Sequence, residues 1–182
     1  MPIAGAMRQE LLAGNYLQAD ETPVAVQMHD GRGTNHQGYL WQHGTPGGSV
    51  VFDFRMGRAR EGPKLFLDKY AGLLQTDGYA GYDGVGGEGL VQAACWSHAR
   101  RKFVDAVKLN REDQAAIGLV ARIDALFAID ARAREHKLDY VQRHVLRQRE
   151  SAPLLEPPRT ALQAALQVSL PASATAKACK YR

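Results

Sequence analysis

The chain changes its hydrophobic period once, and that change limits what it can fold into. Up to residue 96 it is glycine-rich, with short apolar runs of strand character separated by tight turns. From Ser97 onward it is nearly glycine-free and reads with a helical period. YLQADETPVAVQM (16–28), QGYLWQH (37–43) and SVVFDF (49–54) predict three strands, with Pro23 marking an edge or bulge. The glycine-bearing segments His29–Gly33 and Gly44–Gly48 link them as turns, which makes an antiparallel meander. Residues 1–14 carry little pattern and are expected to be an irregular lead-in.

Beyond the meander, Leu65, Phe66, Lys69 and Tyr70 recur at helical spacing over residues 61–71, with Pro63 tolerated in the first turn. LLQT (73–76) reads as a short buried strand entering Asp77-Gly78-Tyr79. A glycine-rich loop (79–89) and an apolar strand (91–95) follow. Ser97 is placed to cap a helix with Ala99, Phe103 and Val107 on one stripe. Asn110–Asp113 should open a longer helix that buries Ile117, Val120, Ile123, Leu126 and Phe127. A basic helix over 139–150, a break at Pro153, Pro157 and Pro158, and a short helix over 159–168 complete the pattern. This order suits a ribonuclease-H-like α/β fold: a mixed sheet of three antiparallel strands plus parallel strands, followed by an α-helical C-terminal region. The expected organisation is a lead-in (1–14), a partial catalytic core (15–110) and a helical insertion or extension (111–182).

Of the 182 residues, 45% are hydrophobic and 23% charged, which excludes a disordered, collagen-like or disulfide-stapled chain. The two cysteines, Cys95 and Cys179, are too far apart for a Cys-x-x-Cys zinc pair and fit a reducing compartment. No apolar run reaches the roughly 18–20 residues of a membrane span, and Met1–Met7 is too short for a signal peptide. A cytoplasmic location without membrane attachment is expected. The net charge of +4 hides an asymmetry of −3 up to residue 96 and +7 thereafter. The basic half suits a polyanion such as nucleic acid, or simply solvated helix faces.

Two acidic residues stand out by position. Asp20 interrupts the first strand, and Asp77 ends the fourth. If those strands are neighbours, the two carboxylates face each other, and a divalent cation resolves their repulsion. A local account is also open, with Asp20 capping a bulge and Asp77 opening the turn at Gly78. Glu21 should point to the opposite side of the strand, as a structural residue. Arg100, Arg101 and Lys102 are either phosphate contacts or a solvated face. His98 is either a ligand or a hydrogen-bonding residue at a helix start. Trp41 and Trp96 read as packing residues.

YLQADETPVAV (16–26), LLQTDGYAGYDGV (73–85) and AACWSHARRKFVDA (93–106), in this order and spacing, resemble the transposases of the insertion-sequence 66 family. The resemblance covers roughly residues 10–182. It implies a DNA transposase of the metal-dependent Asp-Asp-Glu type that cleaves and transfers the ends of an insertion sequence. Asp20 and Asp77 would be catalytic ligands of Mg²⁺ or Mn²⁺, with Arg100, Arg101 and Lys102 on DNA. The partners would be element ends and target DNA, with room for a homo-oligomer in the full-length protein. The family's third carboxylate lies in an Asn-Asn-x-x-Glu-Arg-type segment, which none of Glu112, Glu135, Glu150 or Glu156 matches. Zinc-binding and helix-turn-helix regions expected ahead of the catalytic domain are also missing. The expectation is therefore a truncated fragment, inactive alone. The alternatives are a non-catalytic DNA-binding remnant, or a resolvase or ribonuclease on the same fold.

Overall fold

The computed structural model describes residues 3–28, 34–168 and 172–180. The turn expected at 29–33 lies outside them. The described residues divide into two compact units, one up to Cys95 and the other from Trp96 onward.

The first unit is a mixed α/β assembly around one five-stranded sheet. Its strands are β1 (Tyr16–Val26), β2 (His36–Gly44), β3 (Val50–Arg55), β4 (Leu73–Thr76) and β5 (Val91–Ala94). They lie in the order β3-β2-β1-β4-β5. β1 pairs antiparallel with β2 and β2 with β3, whereas β4 runs parallel to both β1 and β5. Helix α2 (Glu61–Leu67) provides the crossover between β3 and β4. One face of the sheet is the core side, where Leu17, Trp41, Val51 and Leu74 bury against Phe66 and Leu67 of α2.

Residues 3–13 form a helix, α1 (Ile3–Ala13), where the sequence suggested an irregular lead-in. Local pattern is weak there, and the anchoring is tertiary. Leu11 is buried and Met7 and Leu12 pack on the core. Arg8 donates from Nε to the Phe66 carbonyl at 2.8 Å and from Nη2 to the Leu65 carbonyl at 3.0 Å. Helix α2 stops at Leu67 instead of Ala71, because Asp68 takes a positive φ of 48°.

The second unit is helical: α3 (Trp96–Leu109), α4 (Gln114–Glu135), α5 (Tyr140–Leu146), α6 (Glu156–Val168) and α7 (Ala174–Cys179). One cap differs from expectation, and one falls at the end of the segment expected to open its helix. Helix α3 already includes Trp96, so Ser97 lies inside its first turn and is not its cap. For α4 the cap is Asp113, which accepts from the Ala116 amide at 2.9 Å and from the Thr175 hydroxyl. Starting the helix there buries Ala116, Leu119, Ile123, Ile129 and Ala133. Ile117 is exposed, and Val120 and Phe127 pack only in part. The reading from large side chains alone missed that small alanines occupy the close contacts. The basic helix over 139–150 begins with a capping box between Asp139 and Gln142. It loosens after Leu146 into a π-helical turn, Arg147–Ser151, ahead of Pro153.

Within the sheet core, His43 is fully buried and lies flat on Phe66, with ring centroids 3.6 Å apart. Neither ring nitrogen has a hydrogen-bond partner among the described residues. Burial, reinforced by the charge of Arg8, lowers the His43 pKa from 6.5 to about 3. Between these values the unfolded chain binds a proton that the folded one refuses, so this contribution is present above pH 6.5 and fades as pH falls toward 3. The slope approaches about 1.4 kcal/mol per pH unit inside that window. Replacing His43 by Leu should flatten the acid limb of stability, measured as urea midpoints from pH 4 upward (on the order of six points). Parallel curves for the two proteins would place the acid sensitivity elsewhere.

Candidate carboxylate site

Side chains alternate along β1, so neighbouring residues go to opposite faces. Leu17, Ala19 and Glu21 are buried, whereas Gln18, Asp20 and Thr22 are exposed. On the parallel neighbour β4 the register runs Leu17↔Leu74 and Gln18↔Gln75, and the Gln18 amide donates to Gln75 Oε1 at 2.8 Å. Two residues beyond that last β1–β4 pair stand Asp20, still within β1, and Asp77, the first residue after β4. The strand order thus brings the chain at both aspartates to the same level of two adjacent strands.

Each aspartate also has a local role. Asp20 Oδ1 accepts from the Glu21 amide at 2.9 Å. Asp77 Oδ1 accepts from the Tyr79 amide at 2.9 Å, and Thr76 Oγ1 accepts from the Gly78 amide at 3.1 Å. Gly78 has φ of 78°, a conformation that a side chain would strain, so this tight exit from β4 calls for glycine. The local account and the paired-carboxylate account therefore describe the same residues together. One oxygen of Asp77 shapes the turn, and the other, Oδ2, lies 3.8 Å from Arg58.

Arg58 and Tyr82 join the aspartates, although no sequence pattern singled them out. Glu21 is buried, its side chain wholly so. Arg58, from the loop between β3 and α2, donates to Glu21 Oε1 from Nε at 2.8 Å and also from Nη2. The Tyr82 hydroxyl donates to Glu21 Oε2 at 3.1 Å. The guanidinium stacks on the Tyr79 ring, 3.8 Å from its centroid, and the Tyr79 hydroxyl donates to the Arg58 carbonyl at 2.7 Å. Trp41, fully buried as its packing role implied, meets Tyr82 edge-on at 5.8 Å. The signal available in the sequence was indirect: a glutamate on the buried phase of a strand demands a cation.

Burial pushes the Glu21 carboxyl pKa up, and the Asp77 charge adds to this. The hydrogen bond and charge of Arg58 oppose both. At Arg58 burial works against the charge, but the hydrogen bond and charge of Glu21 outweigh it and the pKa rises. Both pKa values rise, which works against the charge of Glu21, whose side chain keeps no contact with solvent, and favours that of Arg58, which keeps two-fifths. The Tyr82 hydroxyl is pushed well up by burial, then by Glu21, Asp77 and Asp20. All three carboxylates therefore act on one buried hydroxyl.

The donor set suits a hard cation held by few protein oxygens. Among the described residues no group of three or more His, Cys, Asp or Glu is arranged to hold a metal. Two aspartates, each with an oxygen engaged by a backbone amide, would leave most of an octahedral Mg²⁺ shell to water. A cavity of about 540 Å³ in the first unit lies elsewhere: Asn15 and Gly72 line it, just ahead of β1 and β4.

In the second unit the basic run after Ser97 divides in two. Arg100 pairs through both Nε and Nη2 with Asp124 of α4, so it ties helices together. Arg101 and Lys102 are exposed, and Lys102 shares a groove with Lys177 and Lys180. His98 is half-buried in the first turn of α3, and Trp96 is 40% exposed.

The sequence profile described as "Transposase IS66 family" matches residues 1–182. The chain belongs to this family. Uncharacterized proteins y4qI and y4hP of Sinorhizobium fredii are each 27% identical to it, over 84% and 86% of this chain and 31% and 32% of their own length. Uncharacterized protein y4jD of the same organism is 31% identical over 73% of this chain and 27% of its own. The chain thus spans about a third of the length of these relatives. No solved structure matches it.

Tyr82→Phe should cost about 2 kcal/mol, because a buried carboxylate loses a donor without compensation. Asp20→Asn, at an exposed position, should cost less than half as much. Chemical denaturation at neutral pH ranks the two. Equal losses would mean that Glu21 does not depend on Tyr82.

Proposed function

We propose that this chain supplies two metal-binding carboxylates, Asp20 and Asp77, to a DNA transposase of the Asp-Asp-Glu type on a ribonuclease-H-like sheet. The observation that carries the reading is the parallel β1–β4 pairing, whose last pair, Gln18 and Gln75, stands two residues before each aspartate. The strand order β3-β2-β1-β4-β5 and the family membership support it. When bound, Mg²⁺ or Mn²⁺ would activate a water or 3′-hydroxyl for in-line attack on a phosphodiester. The protein's own part is to hold the two carboxylates apart from the core. Asp77 is fixed by its turn, and Asp20 is turned outward by the alternation of β1. DNA phosphates would be met by Arg101 and by Lys102, which shares a groove with Lys177 and Lys180, through charge and not sequence. Arg100 was grouped with them from sequence, and its pairing with Asp124 favours a structural share of that role.

A second reading, DNA binding without catalysis, draws on the same site. Two carboxylates hold one ion poorly, and losing a metal site costs orders of magnitude in rate. For the 182-residue chain alone, the expected result with Mn²⁺ and a supercoiled plasmid carrying element ends is binding with no strand transfer. Strand-transfer products that vanish in Asp20→Asn would show that a further carboxylate completes the site. Non-specific binding should be in the range of about 10⁻⁴–10⁻⁶ M and weaken with salt. The double change Arg101→Ala/Lys102→Ala should lower the slope of log K against log salt by about 2, equally for unrelated duplexes. Fluorescence anisotropy across a salt series measures this, and an unchanged slope would move the DNA surface off α3.

A further inference from the structure

Arg58 stands between two carboxylates that need different things. Glu21 is buried and must be neutralised to stay in the core. Asp77 is partly exposed and, on the proposed reading, must remain available to a cation. The guanidinium serves the first through two donors and reaches within 3.8 Å of the second. Tyr79 holds it twice, since its ring stacks on the guanidinium and its hydroxyl donates to the Arg58 carbonyl. Arg58 is therefore a placed charge, and a guanidinium does not shed its proton at any working pH.

We propose that Arg58 is the resident counter-charge of Glu21 and Asp77 and that a divalent cation must bind at Asp77 against it. The inference rests on the reading of Asp20 and Asp77 as metal ligands. A fixed positive charge a few ångströms from Asp77 Oδ2 neutralises that oxygen when no metal is there and repels an incoming ion. Arg58 is thus a positioning residue: it touches Glu21 and Asp77 and acts on the metal only through them. It also ties the outward aspartate to the inward glutamate. Asp20 and Glu21 are consecutive, so the bond that seats Glu21 in the core also sets the backbone from which Asp20 projects.

The sign of the effect separates this role from a merely structural one. Damage to the fold or to the placement of Asp77 weakens metal binding, whereas removal of a competing charge strengthens it. Mn²⁺ binding to the whole chain, measured by calorimetry and by the loss of the free-ion electron paramagnetic resonance signal, should tighten about tenfold in Arg58→Gln at low salt. Arg58→Lys, which keeps the charge, should stay near wild type. Should Arg58→Gln fail to fold because Glu21 is left unpaired, the same tightening is expected between Glu21→Gln and the double variant Glu21→Gln/Arg58→Gln, where the buried pair is neutral. Unchanged or weaker Mn²⁺ binding on loss of the Arg58 charge, with Asp77→Asn still abolishing it, overturns the counter-charge and leaves the metal site standing. Mn²⁺ binding that survives Asp77→Asn, or no binding by any variant at millimolar Mn²⁺, overturns the metal site and the inference with it.

Discussion

Two consecutive carboxylates on the central strand set the terms for the first unit. Period-2 alternation cannot send Asp20 and Glu21 to the same side, so one faces outward and the other enters the core. A buried carboxylate without partners costs several kcal/mol, and the surrounding structure is organised to avoid that. Arg58 supplies charge, Tyr82 supplies a donor, Tyr79 holds Arg58, and Trp41 packs beneath the tyrosines. The loop between β3 and α2 is thereby tied to β1 across 37 residues of sequence. What looks like a cluster of aromatic packing is the support of a single buried charge.

Much of this frame was legible in the sequence. The five strands fall where short apolar runs between glycines predicted them, and β4 was placed at residues 73–76 with both ends right. Asp20 and Asp77 drew attention because each breaks or ends a strand pattern, and Glu21 was correctly turned to the face opposite Asp20. Tertiary forces account for what was missed. Helix α1 buries only Leu11 and is held by the Arg8 bonds to carbonyls of α2, which no local period announces. Arg58 sits in a loop without periodicity, and its meaning exists only beside Glu21. The face of α4 was read from its large residues, whereas Asp113 starts the helix and alanines fill the close contacts.

The second unit shows why counting charges overstates a binding surface. Several of its arginines are already committed. Arg100 belongs to Asp124, Arg134 and Arg147 share Asp130, and Arg132 and Arg149 share Glu150. Such pairs cost little to form at an exposed surface and contribute little stability. They still lower the number of cations left to neutralise phosphates. Arg101 and Lys102 stay exposed, with Lys102 beside further lysines, and they adjoin Arg100, whose charge is spent inside the fold.

The sheet, as its described residues show it, ends in two edge strands of unequal length, β3 with six residues and β5 with four. On β3, Phe52 and Phe54 are 58% and 47% exposed, and the Phe54 ring lies so close over Gly38 that a Cβ there would meet it at 2.8 Å. Between these rings, on the opposite face, Asp53 pairs with Arg55. A strand edge with two aromatic rings is a template on which like molecules stack, and charges set along it oppose that growth. The Asp53–Arg55 ion pair places both signs of charge along that edge. Neutralising Asp53 or Arg55 would turn the edge from a boundary of the fold into a seed for aggregation.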